Sequence, residues 1–425
     1  MPIRLDTPRQ SYRRTELSAL EKYRLAIGST EINSTVMTLM MAAISFNDKG
    51  EWRKRKEALR LASICMEMID VNAQLANLPK TRSLTCGPLK DPSDFDSTTF
   101  YEQFRFRREH FWMILQALHW TTATGAPKVL KFGKRRHRYT MRTDHIMMVF
   151  LRRMAFPARW PDINQILGGS RSTCSAAYNF ALEFMFNNYV PLVQDLHRWK
   201  NRFATFAKQL KDIGAPYDNL VSFVDRHFDR TARPMGDGCV NLNVKDFHVY
   251  NHLHKDHGLM FQGLVLVNGM AMCWGPFAGS ANDANTVIQA NIVSDMADIS
   301  TQLGETFSHF ADSAYPQSRY MQCIQKCPAG GKLSQAARRF NALMARFRVV
   351  VENLFAEVDT SWSMLQHKQN KFIGRDDVGK MFPCAIVLHN LRTLCYGNQT
   401  GAYFGLDGLL DITLSQYLDR DFEFE

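Results

Sequence analysis

The chain has 425 residues, of which 45% are hydrophobic and 12% aromatic, so it is long enough to bury a sizeable core and too apolar to be disordered. Its net charge is +11, and the excess lies entirely before residue 225: residues 1–224 hold 34 Lys+Arg against 20 Asp+Glu, and residues 225–425 hold 18 against 21. An asymmetry of this kind points to a polyanion-binding half joined to a second activity. The nine cysteines are an odd number scattered through apolar segments, which argues against a disulfide framework.

The first elements in chain order are two helices within residues 33–76, "NSTVMTLMMAAISF" and "EWRKRKEALRLASICMEMID". The longest apolar run, "VMTLMMAAISF", is too short to span a bilayer, and no secretory leader is visible. A Pro-, Gly-, Ser- and Asp-rich linker occupies 77–98. "TFYEQFRFRREHFWMILQAL" (99–118) reads as one helix. "KVLKFGKRRHRYTMR" (128–142) is the densest basic stretch, with Lys131, Lys134, Arg135, Arg136 and Arg138 placed to contact phosphates or to act as a nuclear localisation signal, and a solvated basic loop as the plain alternative. In "WPDINQILGGSRSTCSAAYNFALEFMF" (160–186) a short helix ends at Gly168-Gly169 and a longer one follows. That is the outline of a helix-turn-helix, with Arg171, Ser172 and Thr173 at the start of the second helix; a simple helical hairpin fits as well.

Past residue 218 the period shifts. "NLVSFVDRHFDRTARP", "FHVYNHL", "MFQGLVLVN", "MAMCWGPFAG" and "FSHFADSAY" read as strands, with a turn at Asn268-Gly269. "DANTVIQANIVSDMADI" (283–299), "SQAARRFNALMARFRVVVENLFAEV" (334–358) and "DVGKMFPCAIVLHNLRTLCYG" (377–397, broken or started near Pro383) read as helices. The order implies a mixed α/β domain around a central sheet. The expected organisation is an N-terminal helical region (1–76), a linker (77–98), an all-α helix-turn-helix-like DNA-binding domain (99–217) and an α/β domain (218–425).

Three acids end apolar runs: Asp225 after "LVSFV", Asp312 after "FSHFA" and Glu352 after "RFRVVV". Buried carboxylates need partners. One solution is a hard divalent cation such as Mg²⁺ shared among them. The other is separate salt bridges, for which Arg348, one turn before Glu352, is a ready partner. "CIQKC" (323–327) and the histidines 248, 252, 254 and 257 are weak zinc signals; the histidines read better as strand-surface residues.

Taken together, these segments resemble the PIF/Harbinger-type transposases, DDE-superfamily endonucleases with an RNase H-like catalytic domain. "VDRHFDRTARP" is similar to the family's first-aspartate segment, "KDHGLMFQGLVLVNGMAMCWGPFAGSANDA" to the one that follows, "FADSAYP" to the second-aspartate motif, "FNALMARFRVVVENLFAEV" to the helix bearing the third acid and "AIVLHNL" to the helix after it. "FRFRREHFWMILQAL" and "INQILGGSRSTCSAA" resemble the family's helical domain, so the likeness runs over 99–397. The resemblance implies a catalytic, metal-binding triad of Asp225, Asp312 and Glu352 with Asp283 as an auxiliary acid. It implies Mg²⁺ or Mn²⁺ as cofactor, transposon terminal repeats and target DNA as partners, and a nuclear location. It leaves open a Myb-like partner protein and a homodimer. Two departures, Arg226-His227 after the first acid and the lack of Lys or Arg between Glu352 and Lys368, keep open a domesticated protein that binds DNA or chromatin without cutting.

Overall fold

The computed structural model divides into two compact units, Met1–Leu84 and Thr85–Glu425. It describes residues 87–133, 138–234, 246–327, 331–405 and 411–424, all in the second unit. The helices expected within 1–76, linker residues 77–86, and Lys134, Arg135 and Arg136 lie outside the described residues.

The single helix expected over 99–118 is two, α1 (Ser97–Phe104) and α2 (Arg108–Ala117). Arg105 between them adopts a left-handed φ of 64°, and its N–H closes the first helix on the Tyr101 carbonyl. The break lets Phe100, Phe104, Phe106 and Phe111 all reach the core. The basic stretch that follows is not simply a loop. Val129–Phe132 (β1) and Tyr139–Arg142 (β2) pair antiparallel, because Phe132 and Met141 are buried while Lys131 stays out. Phe132 lies 5.0 Å from the Phe180 ring, which docks the hairpin on a later helix. Thr143–Ala155 (α3) is buried along nearly its whole length. Trp160–Leu167 (α4), Gly168 and Gly169 at positive φ, and Arg171–Tyr189 (α5) follow as read from sequence. Phe203–Asp212 (α6) then leads to the sheet.

The α/β part is a curled, mixed, six-stranded sheet. Its strands are β3 (Leu220–Arg230), β4 (Tyr250–Asn251), β5 (Asp256–Leu266), β6 (Ala271–Ala278), β7 (Ser308–Ala311) and β8 (Met321–Cys323). The path runs β6–β5–β3–β7–β8, with β4 also pairing β5. β3, β5 and β6 are mutually antiparallel, whereas β7 and β8 run parallel to β3. The expected strand at 247–253 is a helical turn, Asp246–Val249, followed by the two residues of β4. His252 and His254 accordingly sit in a turn instead of on a strand face. The helix expected over 283–299 is α7 (Asp283–Gln289) and α8 (Ile292–Leu303), separated at Asn291 with φ of 57°. The long helix is α9 (Gln335–Ser361). Next comes α10 (Val378–Tyr396), which continues unbroken through Pro383 inside a fully buried stretch. Gln399–Phe404 (α11) and Leu414–Leu418 (α12) close the chain.

One contiguous hydrophobic core joins the helices before residue 218 to the sheet. α9 lies across β3, where the Phe223 and Phe347 rings stack almost parallel. β5 approaches the same helix closely at Gly263: a Cβ there would stand 2.6 Å from the Phe355 ring. A side chain at 263 would have to displace the Phe355 ring, which packs α9 against the strand.

Candidate active site

β3 is apolar and buried from Leu220 to Val224, then turns polar at Asp225. Its parallel partner β7 is in register at Phe223 and Phe310, so Asp225, midway along β3, and Asp312, just past the end of β7, come level with one another. Asp312 caps a turn and also faces the other acids. Its Oδ1 accepts the Ala314 N–H at 2.7 Å, and its negative charge raises the pKa of Asp225 and of Asp283. From the opposite side, Arg348 on α9 spans the gap. Its Nη1 donates to Asp225 Oδ2 at 3.1 Å and its Nη2 to Glu352 Oε1 at 2.6 Å. Of the two solutions foreseen from sequence, the salt bridge is the one present: Arg348 bridges Asp225 and Glu352, and Asp312 stands level with Asp225.

The carboxyls differ in surroundings. The Asp225 side chain is 20% exposed and Glu352 53% exposed. Burial pushes the Asp225 carboxyl up to about 6; the Arg226 N–H and Arg348 pull against that shift, and Asp312 and Glu352 add to it. Asp283, in the first turn of α7, is also raised by burial while Arg226 opposes the rise through an ion pair of 2.5 Å. Arg226, one of the two departures from the family pattern, thus anchors Asp283 and donates to the Ala281 carbonyl as well.

Behind the acids lies a polar network that sequence reading missed. Gln262 is fully buried on β5. Its Nε2 donates to the Asp225 carbonyl at 2.9 Å and to the Tyr315 hydroxyl at 3.1 Å, and its Oε1 accepts from Thr286 at 3.2 Å. One amide therefore ties the strand of Asp225, the "FADSAYP" turn through Tyr315, and α7 next to Asp283. The available signal was a lone glutamine inside the apolar run "MFQGLVLV".

A cavity of about 760 Å³ opens beside Asp225 along the outer half of β3, with His227, Asp229, His254, Asp359 and Gln366 among its lining residues. His227, the second departure, is an aromatic packing residue: its ring stacks on Phe382 at 4.2 Å, and burial holds its pKa down near 3. Asp229 and Lys371 form a buried ion pair. Burial, then the Asp229 charge, pushes the Asp359 carboxyl up to about 7.

Among the described residues, one His/Cys/Asp/Glu group has ligand atoms all within 4.8 Å of one another, and it is Asp91, Asp144 and His145, away from the sheet. This acidic cluster has the composition to hold a cation, although Arg142 pairs with both of its aspartates. Asp225, Asp312 and Glu352 stand farther apart than that, with Arg348 between two of them. Their donor set, carboxylate oxygens from mid-strand, strand end and helix, is of the kind a hard divalent cation takes, and two of the three already share a positive charge. Cys323 is buried in β8 and bonded to the Tyr315 carbonyl, whereas Cys327 is exposed.

Of the residues expected to touch DNA, Lys131, Arg138, Arg171 and Ser172 are exposed and Thr173 is half-buried. The Ser170 hydroxyl accepts the Thr173 N–H at 3.2 Å and caps α5, leaving Arg171 and Ser172 on its first turn.

A family model described as DDE superfamily endonuclease matches residues 239–390. The match supports the superfamily, spans Asp283, Asp312 and Glu352, and begins after Asp225. The mixed sheet and its flanking helices are compatible with the fold of such a nuclease. Comparison with curated proteins and with solved structures finds no match. No helix among the described residues is long and apolar enough to cross a membrane.

Proposed function

We propose that the chain is a Harbinger-type transposase whose RNase H-like domain cuts and joins DNA with Asp225, Asp312 and Glu352 as metal ligands and Asp283 as an auxiliary acid. One observation carries this reading: Asp225 on β3 and Asp312 just past the end of the parallel strand β7 stand at the same level, and Glu352 on the packed helix α9 is tied to Asp225 through Arg348. Mg²⁺ or Mn²⁺, when bound, activates a water or 3′-hydroxyl for in-line attack and stabilises the leaving oxygen. The protein's own contributions follow from its geometry. Asp225 gives up the proton that burial favours. Arg348, which holds Asp225 and Glu352 in the metal-free protein, has to yield both carboxylates to the metal. Gln262 keeps the Asp225 strand and the Asp312 turn in fixed relation. Exposed Lys131, Arg138, Arg171 and Ser172 hold flanking duplex, together with Lys134, Arg135, Arg136 and Thr173. The basic run also directs the protein to the nucleus, where transposon ends and target DNA are its partners; a Myb-like protein and a second copy of the chain complete the assembly.

A second reading is favoured by Arg348 itself. A guanidinium that already satisfies Asp225 and Glu352 suits a domesticated protein that binds DNA and does not cut. Nicking of a supercoiled plasmid bearing the element's terminal repeats, with and without Mn²⁺, separates the two. Under the nuclease reading the wild type nicks only with metal, and Asp312→Asn, which keeps side-chain size but offers a poor metal ligand, binds DNA and does not nick. Metal-independent behaviour of both proteins, with binding intact, leaves the second reading.

A further inference from the structure

The stretch between the second and third acids has an unusual charge. Residues 313–351 contain seven basic residues (Arg319, Lys326, Lys332, Arg338, Arg339, Arg346 and Arg348) and no Asp or Glu, in a half of the chain whose net charge is −3. Within that net-acidic half, a locally basic segment therefore sits between Asp312 and Glu352.

α9 sorts that charge by face. Ala337, Met344, Phe347, Val350, Val351 and Leu354 are buried, which places Arg338, Arg339, Ala342, Ala345, Arg346, Val349 and Glu352 together on the exposed side. From Arg338 to Glu352 this stripe is about 21 Å long at 1.5 Å per residue. The side chains of Arg338, Arg339 and Arg346 make no ion pair or hydrogen bond among the described residues. By contrast, Arg348, half-turned to the sheet, is committed to Asp225 and Glu352. Between Arg339 and Arg346 the exposed positions are Ala342 and Ala345, so a second backbone can lie close to that face of the helix without meeting a long side chain. The exposed ring of Tyr403 stands beside the stripe, its hydroxyl bonded to the Arg346 carbonyl.

We propose that this face of α9 is a phosphate track for duplex DNA, which leads the backbone along Arg338, Arg339 and Arg346 to the acids. The proposal rests on the nuclease reading for what happens at the end of the track, but its own content is binding. Single-sign charge, unsatisfied guanidinia, a small-residue floor and an end at Glu352 suit a polyanion with a continuous backbone. The same features explain how an acidic half approaches DNA.

The test uses the full-length chain, a random-sequence duplex, chelator in place of divalent metal, and a KCl series. Each phosphate contact contributes roughly 0.9 to the slope of log K against log salt, so Arg338→Ala/Arg339→Ala/Arg346→Ala should flatten the slope by about 2.7. If the two lines meet at about 1 M salt, the variant binds roughly 500-fold more weakly at about 0.1 M. The triple Lys variant should keep the wild-type slope. Ala is the best helix former, so α9 survives the substitutions; Ala342→Glu and Ala345→Glu provide an independent pair that must weaken binding by placing carboxylates on the track. An unchanged slope in the triple Ala variant overturns the track, even if the protein still cuts with metal. So does loss of poly-glutamate binding with DNA binding intact, which assigns the stripe to an acidic protein partner. Loss of metal-dependent nicking in the wild type, with the slope effect present, sinks the nuclease reading and leaves the track standing.

Discussion

Asp225→Asn should make the metal-free protein more stable at neutral pH. The Asp225 carboxyl is raised from 3.8 to about 6, chiefly by burial. In the window between those values the folded state holds a proton that the unfolded state has released, so wild-type stability falls as pH rises. At about 1.36 kcal/mol per unit, the full shift corresponds to about 3 kcal/mol above pH 6, of which roughly 1.4 kcal/mol accumulates between pH 5 and 8. The side chain is 20% exposed, and Asn keeps an acceptor for the Arg226 N–H, so about 1–3 kcal/mol is the expected gain. Urea unfolding of both proteins in chelator, at pH 5 and at pH 8, reads the effect. The gain should be larger at pH 8. Saturating Mg²⁺ should reverse the ranking, since a ligand at about 100 times its Kd stabilises the protein that binds it by about 2.7 kcal/mol. A variant less stable than wild type at pH 8 in chelator, or an equal difference at both pH values, would refute the assignment of Asp225 as a buried, strained carboxylate.

Other expectations follow from the same neighbourhood. Lys371→Met strands the buried Asp229 charge and should lower stability by about 3–5 kcal/mol in a denaturant titration, with Asp229→Asn restoring much of the loss. Gln262→Leu removes the amide joining Asp225, Tyr315 and Thr286; it should lower the melting free energy by about 1–3 kcal/mol and reduce metal-dependent nicking more than DNA affinity. Lys131→Ala/Arg138→Ala/Arg171→Ala should flatten the salt dependence of duplex binding by about 2.7 and leave Mg²⁺ affinity unchanged.

The acids were legible because each closes an apolar run, and an apolar run ending in a carboxylate is a local pattern. Their proximity was not. It depends on β3 pairing in parallel with β7, and nothing near Phe223 or Phe310 encodes which strand will lie beside which. Helix breaks at Arg105 and Asn291 escaped for a related reason. Neither residue is Gly or Pro, and both take positive φ because burial on either side requires the chain to turn there. The hairpin at 129–142 was hidden by its own charge: the lysines and arginines that dominate the composition stand outside, and only Phe132 and Met141 record the inward face. Arg348 was visible as a partner for Glu352, since four residues along a helix is a fixed distance; its second bond, to Asp225, needed the strand.

That second bond bears on how such a lineage ages. In a centre held together by cofactor alone, losing the cofactor leaves like charges facing one another, and drift soon removes them. Here Arg348 already pairs with Asp225 and Glu352 in the metal-free protein, so the repulsion that would otherwise hasten their loss is muted. Intact acids are then a poor clock for the death of the enzyme. The position to watch is 348: under the nuclease proposal its side chain has to yield two carboxylates to the metal, and under the binding-only reading it stays between them.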